Sequence, residues 1–116
     1  VNLNEIATKI LASPDGGTVR MSARDIPLPE SGYFVGHGHR GLVCPVDMAS
    51  RAVVLGALVH LYPDTRFIGW WTDGGRFYIE PSDWLASETE ALALARERGE
   101  LAFFDIASQA DVRLTA

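Results

Sequence analysis

From Asp47 to Tyr62 only Ser50, Arg51 and His60 interrupt a run of apolar residues, with Asp47 placed to cap a helix and Pro63 to stop it. A surface helix shows one apolar stripe, so a helix apolar on most sides is expected to be covered on several sides, by other elements of the chain or by a second copy. Ala49, Ala52 and Gly56, three and four apart, line a shallow groove on one side, while Val54, Leu55, Leu58 and Leu61 supply bulk elsewhere. Small residues of this kind let another backbone approach closely, and a homodimer is one way to fill the groove. The run is about 14 residues long where a bilayer span takes about 20, so a buried helix is expected and a membrane span is not.

A chain of 116 residues can bury one core without staples, and residues 1–116 are read as a single domain. Cys44 is the only cysteine, so no disulfide forms within one chain. That usage suits a reducing compartment, and the opening residues read as a helix without the charged-then-apolar pattern of a signal peptide. A cytoplasmic location is therefore expected. The net charge is −5 and the basic residues are scattered, which argues against a surface that tracks nucleic-acid phosphates. Nine of the ten basic residues are arginine, the bias of a GC-rich genome.

Taken in order, Asn2 with Glu5 forms a capping-box-like pair, and Leu3, Ile6, Ala7, Ile10 and Leu11 make one apolar stripe of a first helix. Ser13 to Gly17 ends it. Thr18 to Ser22 predicts a short strand, and Pro27 and Pro29 make Asp25 to Glu30 an extended connection. Tyr33 to Val35 and Leu42 to Cys44 read as strands around a glycine-rich tip, His37 to Gly41.

Beyond the apolar helix, Arg66 to Thr72 and Gly75 to Glu80 flank Asp73-Gly74, a strong hairpin signature. A two-residue loop at Asp73 and Gly74 would set Trp71 against Arg76, Trp70 against Phe77 and Gly69 against Tyr78. One face then carries Ile68, Trp70, Phe77 and Ile79 and belongs on the core. The other carries Phe67, Gly69, Trp71, Arg76, Tyr78 and Glu80, with Arg76 placed to stack on Trp71. Ser87 with Glu90 opens a third helix that Gly99 ends, and Leu101 to Ile106 with Asp111 to Leu114 forms a last hairpin. The whole reads as an α+β domain: a mainly antiparallel sheet with about three helices, the apolar helix 47–62 packed on it.

Several stretches resemble a family of small uncharacterised proteins from actinobacteria and their bacteriophages. They are Asn2 to Ala7, Gly32 to Gly36, Gly69 to Tyr78, and Glu90 to Ala102 running into Phe104-Asp105. In the loop after Gly36 the family pattern has a further glycine and a Pro-Ser where this chain has His37 to Gly41. The resemblance implies an actinobacterial setting, with a phage or prophage accessory role, and no activity, so it assigns no catalytic residue.

Among candidate chemistries, His37 and His39 are two apart and on extended backbone could share a metal, with Asp47 or Asp25 as a third ligand. Without a full ligand set, glycine-flanked histidines at a tip read as exposed loop residues, and no cofactor is expected. Cys44 near a helix N-terminus with a histidine nearby is the pattern of a nucleophile and base, set against a small buried residue closing a strand. Glu88, Glu90, Glu97 and Glu100 read as a solvated helix face, and Glu80 with Asp83 as flanks of a pocket near Trp84. The outer hairpin face, Phe67, Trp71, Arg76 and Tyr78, has the composition of an interface hot spot, unless a helix covers it.

The leading expectation is thus a small non-enzymatic cytoplasmic protein that binds another protein through that face. An inhibitor of a basic toxin would be one form of it. The alternative is a metal-binding protein or enzyme using the His37/His39 loop and Cys44.

Overall fold

The computed structural model describes residues 3–13, 15–21 and 27–114. The expected Asn2 cap, Ser22, and Asp25 as a metal ligand lie outside them. The described residues form helices α1 (Leu3–Ala12), α2 (Met48–Leu61) and α3 (Glu88–Glu97) and a 3₁₀ turn (Gly38–Arg40). The same residues form seven strands: β1 (Gly16–Arg20), β2 (Tyr33–Gly36), β3 (Leu42–Pro45), β4 (Phe67–Asp73), β5 (Arg76–Leu85), β6 (Ala102–Asp105) and β7 (Ala110–Arg113). Every strand pair is antiparallel, in the order β1-β4-β5-β2-β6-β7, with β3 also on β5. This is the expected α+β architecture.

Local chemistry sets the helix ends. The Asp47 carboxylate accepts from Ser50 N at 2.7 Å and Ser87 Oγ accepts from Glu90 N at 3.1 Å. Each satisfies a backbone donor that the first turn leaves unpaired. At the end of α3, Gly99 takes a φ of 69° and Glu100 N donates to Ala95 O at 2.9 Å, a Schellman turn that fixes the direction in which Glu100 leaves the helix.

The β4–β5 hairpin is slipped from the expected pairing by two residues. Gly74 and Gly75 are the loop, with φ of 57° and 77°, so Asp73 opposes Arg76, Trp71 opposes Tyr78 and Gly69 opposes Glu80. A two-residue loop of this kind needs positive φ at both positions, which two glycines meet more readily than Asp-Gly. A slip of two leaves each side chain on its face. Ile68, Trp70, Phe77 and Ile79 are buried together as expected.

β5 also runs five residues past its expected end at Glu80, through Pro81. The Pro81 carbonyl accepts from His37 N at 2.9 Å. In an antiparallel strand a residue's C=O and N–H point the same way, so the donor Pro81 lacks would face the gap between β2 and β3, where no strand needs it.

All three helices sit on one face of the sheet. Ile6, Ile10, Leu55 and Leu58 pack with Val19, Ile68, Trp70, Phe77 and Ile79. Ala91 and Ala95 pack with Val35, Phe103, Tyr33 and Leu85. Register places these strand residues on one side, since Ile79, Pro81, Asp83 and Leu85 alternate along β5 opposite Trp70, Ile68, Val35 and Tyr33. The reverse face carries Trp71, Gly69 and Phe67 against Tyr78, Glu80 and Ser82. At one end of it Ile106 packs with Phe34, Phe67 and Phe104, a cluster that among the described residues includes none from a helix.

The apolar helix differs from expectation. It covers one half of the sheet instead of forming the centre of the core, which is the hairpin pair Ile68, Trp70, Phe77 and Ile79. Of its described side chains only Leu55 and Leu58 are buried, while Val53 is 71% and Leu61 56% exposed, Ala49 and Ala52 are exposed, and nothing lies within 4 Å of where a Gly56 Cβ would be. An open sheet offers a helix one surface, and apolar residues beyond that width stay outside. Arg51, read as an interruption, lies inward with its guanidinium 4.8 Å from the Phe77 ring. Gly56→Ala is therefore expected to stabilise the chain by about 1 kcal/mol in urea unfolding, the helical preference of alanine over glycine. Destabilisation would mean that the groove is filled by a second copy.

Candidate functional site

β2 and β3 lie end to end along the same edge of β5. Gly36 opposes Ser82 and Leu42 opposes Ile79, so the five residues from His37 to Gly41 occupy the space across from Glu80 and Pro81 alone. The excess coils into the 3₁₀ turn, closed by Arg40 N to His37 O at 2.9 Å and Gly41 N to Gly38 O at 3.0 Å. This break in the strand brings Glu80, Glu100, Arg98 and His37 together.

Two carboxyls meet over Gly36. A Cβ there would overlap Glu80 Oε1 and would stand 3.2 Å from Glu100 Oε1, so only glycine leaves the space they use. Glu100 Oε1 also accepts from Gly38 N at 3.1 Å. Arg98 lies behind them, donating from Nη1 to the carbonyls of Val35 at 3.1 Å and Gly36 at 3.3 Å, and pairing through Nη2 with Asp83. Burial, and then the charge of Glu100, push the Glu80 carboxyl up to about 7, with Arg98 working against them. For His37, burial and then the guanidinium charges of Arg98 and Arg40 lower the imidazole from its ordinary value, and its buried Nδ1 has no hydrogen-bond partner.

The histidine pair is close, with His37 and His39 rings 6.4 Å apart and edge to face. Among the described residues, however, no three His, Cys, Asp or Glu side chains are grouped to hold a metal ion. Asp47, considered as a third ligand, is engaged by the backbone N–H and hydroxyl of Ser50, and its carboxyl is lowered by those bonds. Cys44 lies on β3 opposite Phe77 and packs against the core, and burial, then Asp47, push its thiol up. This is the small packed residue closing a strand: the start of α2 does not activate the thiol, because Asp47 already accepts from that turn and its negative charge opposes the thiolate.

The four hairpin residues separate. Trp71 and Tyr78 come together as a stacked pair, ring centroids 5.2 Å apart and planes 4° from parallel, with Trp71 39% exposed. Tyr78, in place of the expected Arg76, is the residue on the Trp71 ring, a consequence of the two-residue slip. Arg76 is exposed near the hairpin tip, opposite Asp73. Phe67 shares their face but is buried, its ring 5.1 Å from Phe34 with the Arg20 guanidinium 4.9 Å away. It packs the fold and offers no contact surface. Val43, which the sequence reading passed over, is 46% exposed opposite Tyr78 and extends the aromatic pair by one strand. Gly16 opposite Trp71 and Gly69 beside it leave the surroundings low.

The carboxyl pair was also missed. Glu100 reads as helix surface until the Schellman turn aims it at Gly38, and the one local sign of it is the spacing of Gly36, Gly38 and Gly41 in a tip that needs close approach. Among the described residues no helix is long and apolar enough to cross a membrane. Compared with known protein families, with curated proteins and with solved structures, the chain matches none of them, and its function has to be argued from this geometry.

Proposed function

We propose that this chain is a non-enzymatic binding protein that takes a protein partner on the open face of its sheet, acting as a cytoplasmic accessory or inhibitor in an actinobacterial or phage setting. The observation that carries this reading is the Trp71–Tyr78 stack, part-exposed two residues in from the hairpin end of β4 and β5 on the face away from the helices. Large rings fixed against each other lose little freedom when a partner lands on them, and such residues dominate binding energy at interfaces. Val43 widens the apolar strip, and the exposed Arg76 and Asp73 form a charged border at the hairpin tip.

Tagged wild-type chain and the variant Trp71→Ala with Tyr78→Ala are compared by capture from an actinobacterial lysate and mass spectrometry. A stoichiometric partner held by the wild type is expected to be lost from the variant, while circular dichroism shows the variant folded. A folded variant that retains the partner would remove this face as the contact.

A further inference from the structure

We propose that the Glu80 and Glu100 carboxyls form a proton-operated latch on the turn 37–41, which ties the turn to the end of α3 while Glu80 holds its proton and releases it when Glu80 ionises. This stands apart from the partner reading and rests on different residues.

The geometry supplies each part. Glu100 Oε1 holds the turn through Gly38 N, and the Glu80 carboxyl occupies the same space over Gly36. A neutral Glu80 can lie beside a charged Glu100, whereas two carboxylates over one glycine repel. Among the described residues the groups facing this point are few. The end of α3 and the turn after it contribute Arg98 and Glu100, the 37–41 turn contributes His37, His39 and Arg40, and β5 contributes Asp83. In the row of Glu80, β4 presents Gly69 and β1 presents Thr18, neither of which titrates. Arg98, the cation that could compensate a second charge, is already committed to Asp83 and to the Val35 and Gly36 carbonyls.

The turn is lightly held, with Arg40 set 4.9 Å from the centre of the Tyr62 ring. Gly38, His39 and Arg40 are exposed, and one backbone bond, His37 N to Pro81 O, ties the turn to β5. When Glu80 gives its proton to solvent, Glu100 is driven from the pair and Gly38 N loses its acceptor. Burial and Glu100 set that event at about pH 7, inside the range a cell experiences.

The test is NMR of the full chain labelled with ¹⁵N, following the Gly38 amide between about pH 6 and pH 8.5. Its proton resonance is expected to move upfield with a midpoint near 7, and its exchange with water, corrected for hydroxide, to accelerate about tenfold, the effect of losing a bond to a charged acceptor. In Glu80→Gln both changes should vanish with the turn still seated. In Glu100→Gln the amide should be pH-independent as well, which gives a second reading should either variant be poorly folded. A wild-type Gly38 signal indifferent to pH would overturn the latch. So would a midpoint that persists in Glu80→Gln, which would assign the movement to a histidine.

Discussion

Glu80→Gln is expected to leave stability near pH 4.5 almost unchanged and to raise it at pH 8 by up to about 3 kcal/mol relative to the wild type. The sign follows from a carboxyl raised in the folded state from its ordinary 4.5 to about 7. Below 4.5 both states hold the proton. Between 4.5 and 7 the unfolded chain has lost it while the folded chain keeps it, so stability falls as pH rises through that window and is flat above it. Glutamine imitates the protonated form and cannot ionise. Urea unfolding across this range should therefore give a wild-type curve that declines away from that of the variant, and two parallel curves would show that Glu80 ionises normally in the fold.

The second large effect is expected at Phe77. Its side chain is fully buried on β5, between Thr72 of β4 and Cys44 of β3, with Arg51 of α2 against its ring. Phe77→Ala leaves a cavity bounded by three strands and a helix, and strands locked by ladder bonds cannot collapse into it. The cost should be about 3–5 kcal/mol in urea unfolding, out of the 5–15 kcal/mol typical of a whole domain. A loss below about 1.5 kcal/mol would mean that the helix-covered face is not the core.

These two residues also mark what the sequence reveals and what it hides. Phe77 was legible because alternation places it with Ile68, Trp70 and Ile79 whichever way the hairpin closes, since a slip of two conserves the faces. The α2 and α3 caps, Asp47 and Ser87, were legible because capping is local. The pairing itself was not, as it turned on whether Asp73 or Gly75 joined Gly74 in the loop. β5 was read short because Pro81 normally ends a strand, and its tolerance depends on a gap in a different strand. Leu101 reads as the first residue of the last hairpin but lies outside its strand, 79% exposed. Phe67 was placed on the correct face, but its burial depends on Phe34 and Arg20, which no period in the hairpin reports. The Glu80–Glu100 pair is the furthest from view, joining residues twenty apart through a turn whose length makes sense only once β2 and β3 share an edge. For α2, composition showed how much of the helix tolerates burial, and only the sheet shows how much is covered.

Among the described residues the sheet is one-sided, with the helices on one face and Trp71 and Tyr78 on the other. Urea unfolding of Trp71→Ala with Tyr78→Ala, beside Phe77→Ala, tests it most directly. The double variant is expected to stay folded and to lose no more than about 2 kcal/mol, the sum of a part-exposed ring's burial and an aromatic contact. A double variant that loses as much as Phe77→Ala, or does not fold, would place that face in the core.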